Sequence, residues 1–334
     1  MRTRLLCVAV LAAGISAATL AQAPTPATPD ALVIAAKRAA GLDYPGTFVR
    51  LCVAPDNLAT PGGTGTAARG AAPPARVVPP RDTWYARPYK VFDNLYFIGT
   101  KIHSSWALTT SDGIIVIDTL YDYAIEPEIV DGLTAVGLDP RNIKYVVISH
   151  AHGDHDQGAA LLQSRYGAKV VMGAADWDAT LQRAATAPGG VPKRDVVVGP
   201  GGMKLKLGDT TVDIIATPGH TPGTLSYFFP VKDGSRMLMV AYAGGTAFNF
   251  PRRAEGFRIY RDSQRKMTEV AGAAVPTVLM TNHSEFDRAY DRARLAQLPR
   301  APGEKHPYET DTPTVLRYFE MSADCAEAQR LLTQ

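Results

Sequence analysis

Three of the chain's seven histidines fall within six residues, His150-Ala151-His152-Gly153-Asp154-His155. They follow directly on KYVVIS (144–149), whose apolar run reads as a buried strand. Loops at strand ends are where chemistry concentrates. One intervening residue lets an extended backbone send the His150 and His152 side chains to the same side. The neighbours Asp154 and His155 diverge. A tight turn, relieved by Gly153 and Gly158, therefore offers His150 and His152 to one ion and Asp154 and His155 to another. Such clustering favours a metal site over separately packed histidines.

A catalytic zinc takes about three protein ligands and keeps a position open, so each pair needs a third member. Two histidines stand in loops directly after expected strands, His220 in TPGHTPG (217–223) and His283 in TNHS (281–284). Either alone would be an ordinary loop residue. Together they close the count, with His150, His152 and His220 for one zinc and Asp154, His155 and His283 for the other, two Zn2+ per chain. Imidazole and carboxylate donors favour zinc over calcium or magnesium.

Around this cluster, segments 91–99, 105–110, 113–118, 144–149 and 169–172 read as strands, with SDG (111–113) as a hairpin turn. A second series covers 203–207, 211–216, 224–229, 237–242 and 277–280, with a turn at KDG (232–234). Helices are expected at 30–40, 126–136, 157–166, 176–185, within 262–273, at 286–295 and at 312–332. Many short strands with interspersed helices indicate a layered α/β domain rather than a pure β-sandwich.

Residues 1–23 have the form of a secretory signal: Arg2 and Arg4, an apolar stretch over 5–18, and Ala21-Gln22-Ala23. Pro24 would hinder cutting after Ala23, so cleavage after Ala21 is equally reasonable. The apolar stretch is too short to span a membrane comfortably. The mature chain is therefore expected to be periplasmic or secreted, with no membrane span. Residues 24–83 read as an N-terminal extension and Pro/Gly/Ala-rich connector, 84–300 as the catalytic domain, and 301–334 as a C-terminal tail with a helix. An export compartment permits a Cys52–Cys325 disulfide; two unpaired thiols suit the sequence equally well. A formal charge of +3 without any Lys/Arg block argues against a nucleic-acid surface and for a small-molecule substrate. The oligomeric state is left open.

On these residues the chain resembles the metallo-β-lactamase fold superfamily. HAHGDH at 150–155 matches its HxHxDH motif, and Asp118 closing GIIVID (113–118), the TPGHTPG segment and His283 follow in its order. The likeness covers residues 88–298 and implies a four-layer αββα sandwich, with a metal centre at one edge between two sheets. The ligand set is most similar to that of the subclass B3 β-lactamases, which use three histidines for one zinc and Asp-His-His for the other. Most other two-metal members add a bridging Asp on the strand before the last ligand, whereas residues 240–250 here contain neither Asp nor Cys.

The resemblance implies an exported dizinc hydrolase in which a zinc-activated hydroxide opens the β-lactam ring of antibiotics; another amide, ester or lactone is the alternative substrate. Asp154 would bind the second zinc and orient the nucleophile. Asp118 reads either as a residue that orients a ligand or as a loop cap. His103 and Trp106 fall where the family borders its substrate cleft, although a histidine packed by tryptophan is an equally simple account. Thr246 stands where the lactamases carry a Ser-containing loop, and Asn249 follows it. These four residues are the candidate substrate contacts.

Overall fold

The computed structural model describes residues 27–53 and 77–334. The expected signal at 1–23, its cleavage positions Ala21 and Ala23, and the connector residues 54–76 lie outside the described residues.

Twelve strands form two sheets among these residues. The first holds β1 (Tyr89–Phe92), β2 (Leu95–Phe97), β3 (Trp106–Thr110), β4 (Gly113–Ile117), β5 (Ile143–Val147), β6 (Lys169–Gly173) and β7 (Val196–Val198), side by side in chain order. Pairing is antiparallel from β1 to β4 and parallel from β4 to β7. The second holds β8 (Met203–Leu207), β9 (Thr210–Ala216), β10 (Leu225–Asp233), β11 (Arg236–Ala243) and β12 (Val278–Thr281), in the order β12-β11-β10-β9-β8. Only β11 and β12 run parallel in it.

Strand alternation builds the layers. Ile115 and Ile117 of β4 face the second sheet and pack in one cluster with Val147, Leu225, Tyr227, Val240 and Met280. Their neighbours Ile114 and Val116 face outward and pack with Val146, Leu162 and Trp177. The last two come from α3 (Ala159–Tyr166) and α4 (Ala174–Leu181), which follow the single turn α2 (Gly153–Asp156). The second sheet turns Phe228, Ala241 and Leu279 outward onto a helical layer. That layer consists of α1 (Pro29–Ala40), α5 (Ala254–Ala274) and α7 (Thr312–Leu332), joined through Ala36, Phe257, Met267, Val315 and Phe319. Each fully buried Phe or Leu contributes roughly 1.5–3 kcal/mol. The architecture is the αββα sandwich the resemblance implied.

Local differences have physical causes. The segment 91–99 is a hairpin, not one strand, because Asn94 turns the chain and its Oδ1 accepts from Lys232 N at 2.7 Å. The helix expected at 286–295 breaks at Arg288, whose φ is +60°, into a turn at Ser284–Asp287 and α6 (Ala289–Leu295). The segment expected as a C-terminal tail carries α7, which covers the second sheet as part of its core. Cys325 of α7 forms a disulfide with Cys52, their Cα atoms 4.9 Å apart, so those cysteines are paired. No helix among the described residues is long and apolar enough to cross a membrane.

This topology positions the site. β4, β5 and β6 run parallel, and β3 is antiparallel to β4, so the ends of β4 and β5 share an edge with the start of β3. In the facing sheet, β9, β11 and β12 run in one direction, so their ends also share an edge. The expected ligands all follow these ends, Asp154 and His155 in the single turn α2 and the others in loops.

Candidate metal centre

The loop after β5 and the loop after β9 bring three imidazoles together. His220 Nε2 lies 3.1 Å from His150 Nε2 and 3.2 Å from His152 Nδ1. Each outer nitrogen of the two buried rings is held by a carbonyl: His150 Nδ1 donates to Gly244 O at 3.0 Å and His220 Nδ1 to Ala247 O at 2.7 Å. A carbonyl can only accept, so both rings carry hydrogen on Nδ1 and turn a lone pair on Nε2 inward. Burial, with the neighbouring imidazoles, holds His150 well below its ordinary range. Burial and then His152 bring His220 down to about 3. Neutral imidazoles are the form a cation needs.

A second group adjoins the first, with the ring centroids of His150 and His155 4.4 Å apart. Asp154 Oδ2 lies 3.2 Å from His155 Nε2 and 3.4 Å from His283 Nε2, and those two nitrogens are 3.1 Å apart. Burial opposes ionisation of Asp154, but His155 and His283 beside it hold its carboxyl well below the usual range. Burial also opposes charge on His155, and the Asp154 and Asp118 carboxylates overcome it and raise the imidazole to about 10. A cation among these groups would take over the positive charge that His155 otherwise holds as a proton.

The spacings test the fit. A tetrahedral zinc with ligands at about 2.0–2.1 Å sets those ligands roughly 3.3–3.4 Å apart. The distances from His220 to its two partners, 3.1 and 3.2 Å, and all three in the second group, 3.1 to 3.4 Å, lie close to that edge length, and the donors are the nitrogen and oxygen atoms that zinc prefers. The residues therefore fit a metal such as zinc.

Several residues that sequence reasoning missed brace the loops. Asp176 Oδ2 accepts from Ala151 N at 2.8 Å and from Thr221 Oγ1 at 2.7 Å, and its Oδ1 accepts from Gly223 N at 2.9 Å. One buried carboxylate thus ties the His150 loop to the His220 loop. Arg183 donates to Ala151 O at 2.6 Å, gripping the same residue from its other side. Gly245 is required for space, because a Cβ there would come within 2.6 Å of the His220 Cβ. Asp118 accepts from His155 and from both backbone and side chain of Ser149, so it acts on a ligand as well as closing its own turn.

The expected substrate contacts divide. Trp106 is completely buried on β3, edge-on to Phe97 and Tyr308 in the core between the sheets; it is not a cleft wall. The strand's alternation, not its nearness to the site, decides where it points. Thr246 is 1% exposed and donates to Asn282 Oδ1 at 3.1 Å, so its hydroxyl is turned inward and already used. Asn249 is exposed. His103 reaches the site itself, its Nε2 3.6 Å from Asp154 Oδ2.

Residues 98–234 match the family described as Metallo-beta-lactamase superfamily. That stretch, less than half of the chain, is a metallo-beta-lactamase superfamily domain. A subclass B3 metallo-beta-lactamase of Bradyrhizobium japonicum superposes with a TM-score of 0.56 at 25% identity, over 72% of this chain and 92% of that one. A hydroxyacylglutathione hydrolase of Acidiphilium cryptum is 36% identical over 97 residues, 29% of this chain and 35% of that one. An N-acyl homoserine lactonase of Bacillus thuringiensis is 24% identical over 172 residues, 49% of this chain and 65% of that one. The chain thus spans less than two thirds of either curated relative. Just beyond the matched residues, β11 and the loop after it, residues 236–250, contain no carboxylate. No acid from that strand bridges the two donor groups.

Proposed function

We propose that the chain is an exported dizinc hydrolase of small molecules, and that its substrates are β-lactams. The observation that carries this reading is the pair of triads, His150/His152/His220 and Asp154/His155/His283, each with tetrahedral spacing and with no acid on β11 to bridge them. Bound zinc would supply Lewis acidity and bring the pKa of water toward neutrality. The chain's own groups do the rest. His150 and His220 present lone pairs fixed by Gly244 O and Ala247 O. Asp154 is ionised and surrounded by imidazoles, ready to orient a nucleophile. A net charge of +3 with no basic block accords with a small substrate rather than a nucleic acid.

A second reading, hydrolysis of a lactone or thioester, is favoured by one observation. The Thr246 hydroxyl, which a carboxylate-bearing β-lactam could use, is committed to Asn282. Curated relatives include a hydroxyacylglutathione hydrolase and an N-acyl homoserine lactonase.

The test is zinc loading, metal analysis and a panel of penicillin, cephalosporin, carbapenem, homoserine lactone and acyl thioester. The first reading expects β-lactam turnover that chelation abolishes and zinc restores. It also expects Asp154→Asn to lower kcat by roughly a hundredfold or more. Lactone or thioester turnover with none on β-lactams moves the assignment to the second reading. Two bound zincs with no hydrolysis of any class would defeat both.

A further inference from the structure

Six of the seven histidines converge on this site; only His306 lies elsewhere, stacked on Phe92. The sixth is His103. We propose that His103 is a fourth protein ligand of the second cation, so that His103, Asp154, His155 and His283 close that site while the first keeps an open position. This rests on the two-cation reading above and extends it to a residue outside both triads.

The backbone places His103 deliberately. It pairs antiparallel with His283 in an isolated bridge, flanked by Ser104 N to Asn282 O at 2.9 Å and Ser284 N to Ile102 O at 2.8 Å. Those bonds make His103 and His283 a non-hydrogen-bonded pair, the geometry that brings opposed side chains closest on one face. Their ring centroids are 5.1 Å apart. Thr100 fixes the loop: its Oγ1 accepts from His103 N at 2.8 Å, and its backbone N donates to His103 O at 2.9 Å. The Thr100 hydroxyl also stands 3.5 Å from His103 Nδ1, which leaves Nε2 as the atom facing Asp154.

Distance separates a ligand from a mere hydrogen-bond partner. At 3.6 Å, His103 Nε2 is too far from Asp154 Oδ2 for a hydrogen bond. It is close to the edge of a tetrahedron around zinc, roughly 3.3–3.4 Å. The donor atoms of His103, Asp154 and His283 all lie within 4.8 Å of one another. The side chain is 13% exposed, walled by Tyr121 edge-on at a 5.2 Å centroid distance. A surface histidine placed to touch substrate would have none of this confinement. A four-ligand second site would hold its cation as a fixed charge and leave exchange of water or substrate to the first.

The experiment uses the full chain loaded with zinc, then dialysed against graded dipicolinate, with metal counted by mass spectrometry. Wild type is expected to retain two ions, and His103→Ala and His103→Gln to lose one of them at a chelator concentration at least tenfold lower, while the other is unchanged. The Co2+-loaded wild type is expected to show six exchangeable, hyperfine-shifted imidazole N–H resonances, and each variant five. Two ions held equally well by the variants, or five such resonances in wild type, would overturn the proposal and leave the two-cation reading standing. A wild-type stoichiometry of one would overturn both. The resonance count needs no variant, so a misfolded substitution cannot obscure the answer.

Discussion

The Asp118 carboxylate and the His155 imidazole form a completely buried pair, Oδ2 to Nδ1 3.0 Å. Asp118 closes the first turn after β4 with φ at +60°, a conformation that Asp and Asn tolerate better than most residues. Its Oδ1 accepts from Ser149 N at 2.7 Å and its Oδ2 from Ser149 Oγ at 2.8 Å, which locks the strand end preceding His150. Hydrogen on His155 Nδ1 leaves Nε2 to face Asp154 and His283. One carboxylate therefore sets the tautomer of a second-site ligand and the approach of a first-site ligand.

Asp118→Asn preserves the turn but halves the accepting capacity. It is expected to weaken retention of the second cation by about 10–100-fold and that of the first by less. Chelator titration of the Asp118→Asn variant beside wild type reads this directly. Equal retention would mean that Asp118 serves the turn alone.

Thr246 separates a structural role from a substrate role. Replacing Thr246 with Val keeps its shape but removes the donor to Asn282 Oδ1, which is itself completely buried. Stability is expected to fall by about 1–2 kcal/mol, with KM for any substrate unchanged within about twofold. Chemical denaturation and steady-state kinetics check the two parts. A large rise in KM with stability intact would restore Thr246 to the substrate contacts.

The Cys52–Cys325 disulfide spans 273 residues and joins the segment after α1 to the buried face of α7. Changing both cysteines to Ala is expected to lower stability by about 2–5 kcal/mol through the freer unfolded chain. Metal stoichiometry should not change, since neither cysteine is among the ligand groups. Thermal melts with and without reductant, beside metal analysis, check both statements. Loss of zinc on reduction would show that α7 and the metal loops are more tightly coupled than their packing indicates.

The convergence of these donor residues is legible in the sequence because its signal is local. HAHGDH follows an apolar strand, and His220 and His283 each follow another, so strand ends and donor counts were enough to group them. Asp118 was ambiguous between ligand support and turn, and it does both. Trp106, Thr246 and His103 were opaque for a different reason. Whether Trp106 points into the core depends on which face of β3 meets the other sheet. Whether Thr246 is free depends on Asn282, across a parallel strand pair. His103 meets His283 only because two remote loops form an antiparallel bridge. Asp176 carried no signal at all: in sequence it is one more acid at the start of a helix, and its three acceptor bonds appear only when two loops close around it.

Glu128 gives a pH test remote from the metal ligands. Its side chain is completely buried; Oε1 accepts from Ala86 N at 2.8 Å, and Oε2 has no partner. Burial raises its carboxyl from 4.5 to about 8, against the smaller opposing effects of the Ala86 bond and of Arg81 and Lys101. The unfolded chain releases this proton near pH 4.5, whereas the folded chain holds it until about 8. Between these values the folded state binds more protons, so stability falls as pH rises and then levels off above the upper value. Glu128→Gln keeps the acceptor for Ala86 N and has no proton to lose. The variant should therefore gain on wild type progressively from pH 5 to pH 8.5, by about 1–3 kcal/mol at the upper end. Parallel melts of zinc-loaded wild type and variant across that range measure the difference, which cancels any pH effect on the metal sites common to both. A difference that does not change with pH would mean that Glu128 is already ionised in the folded protein.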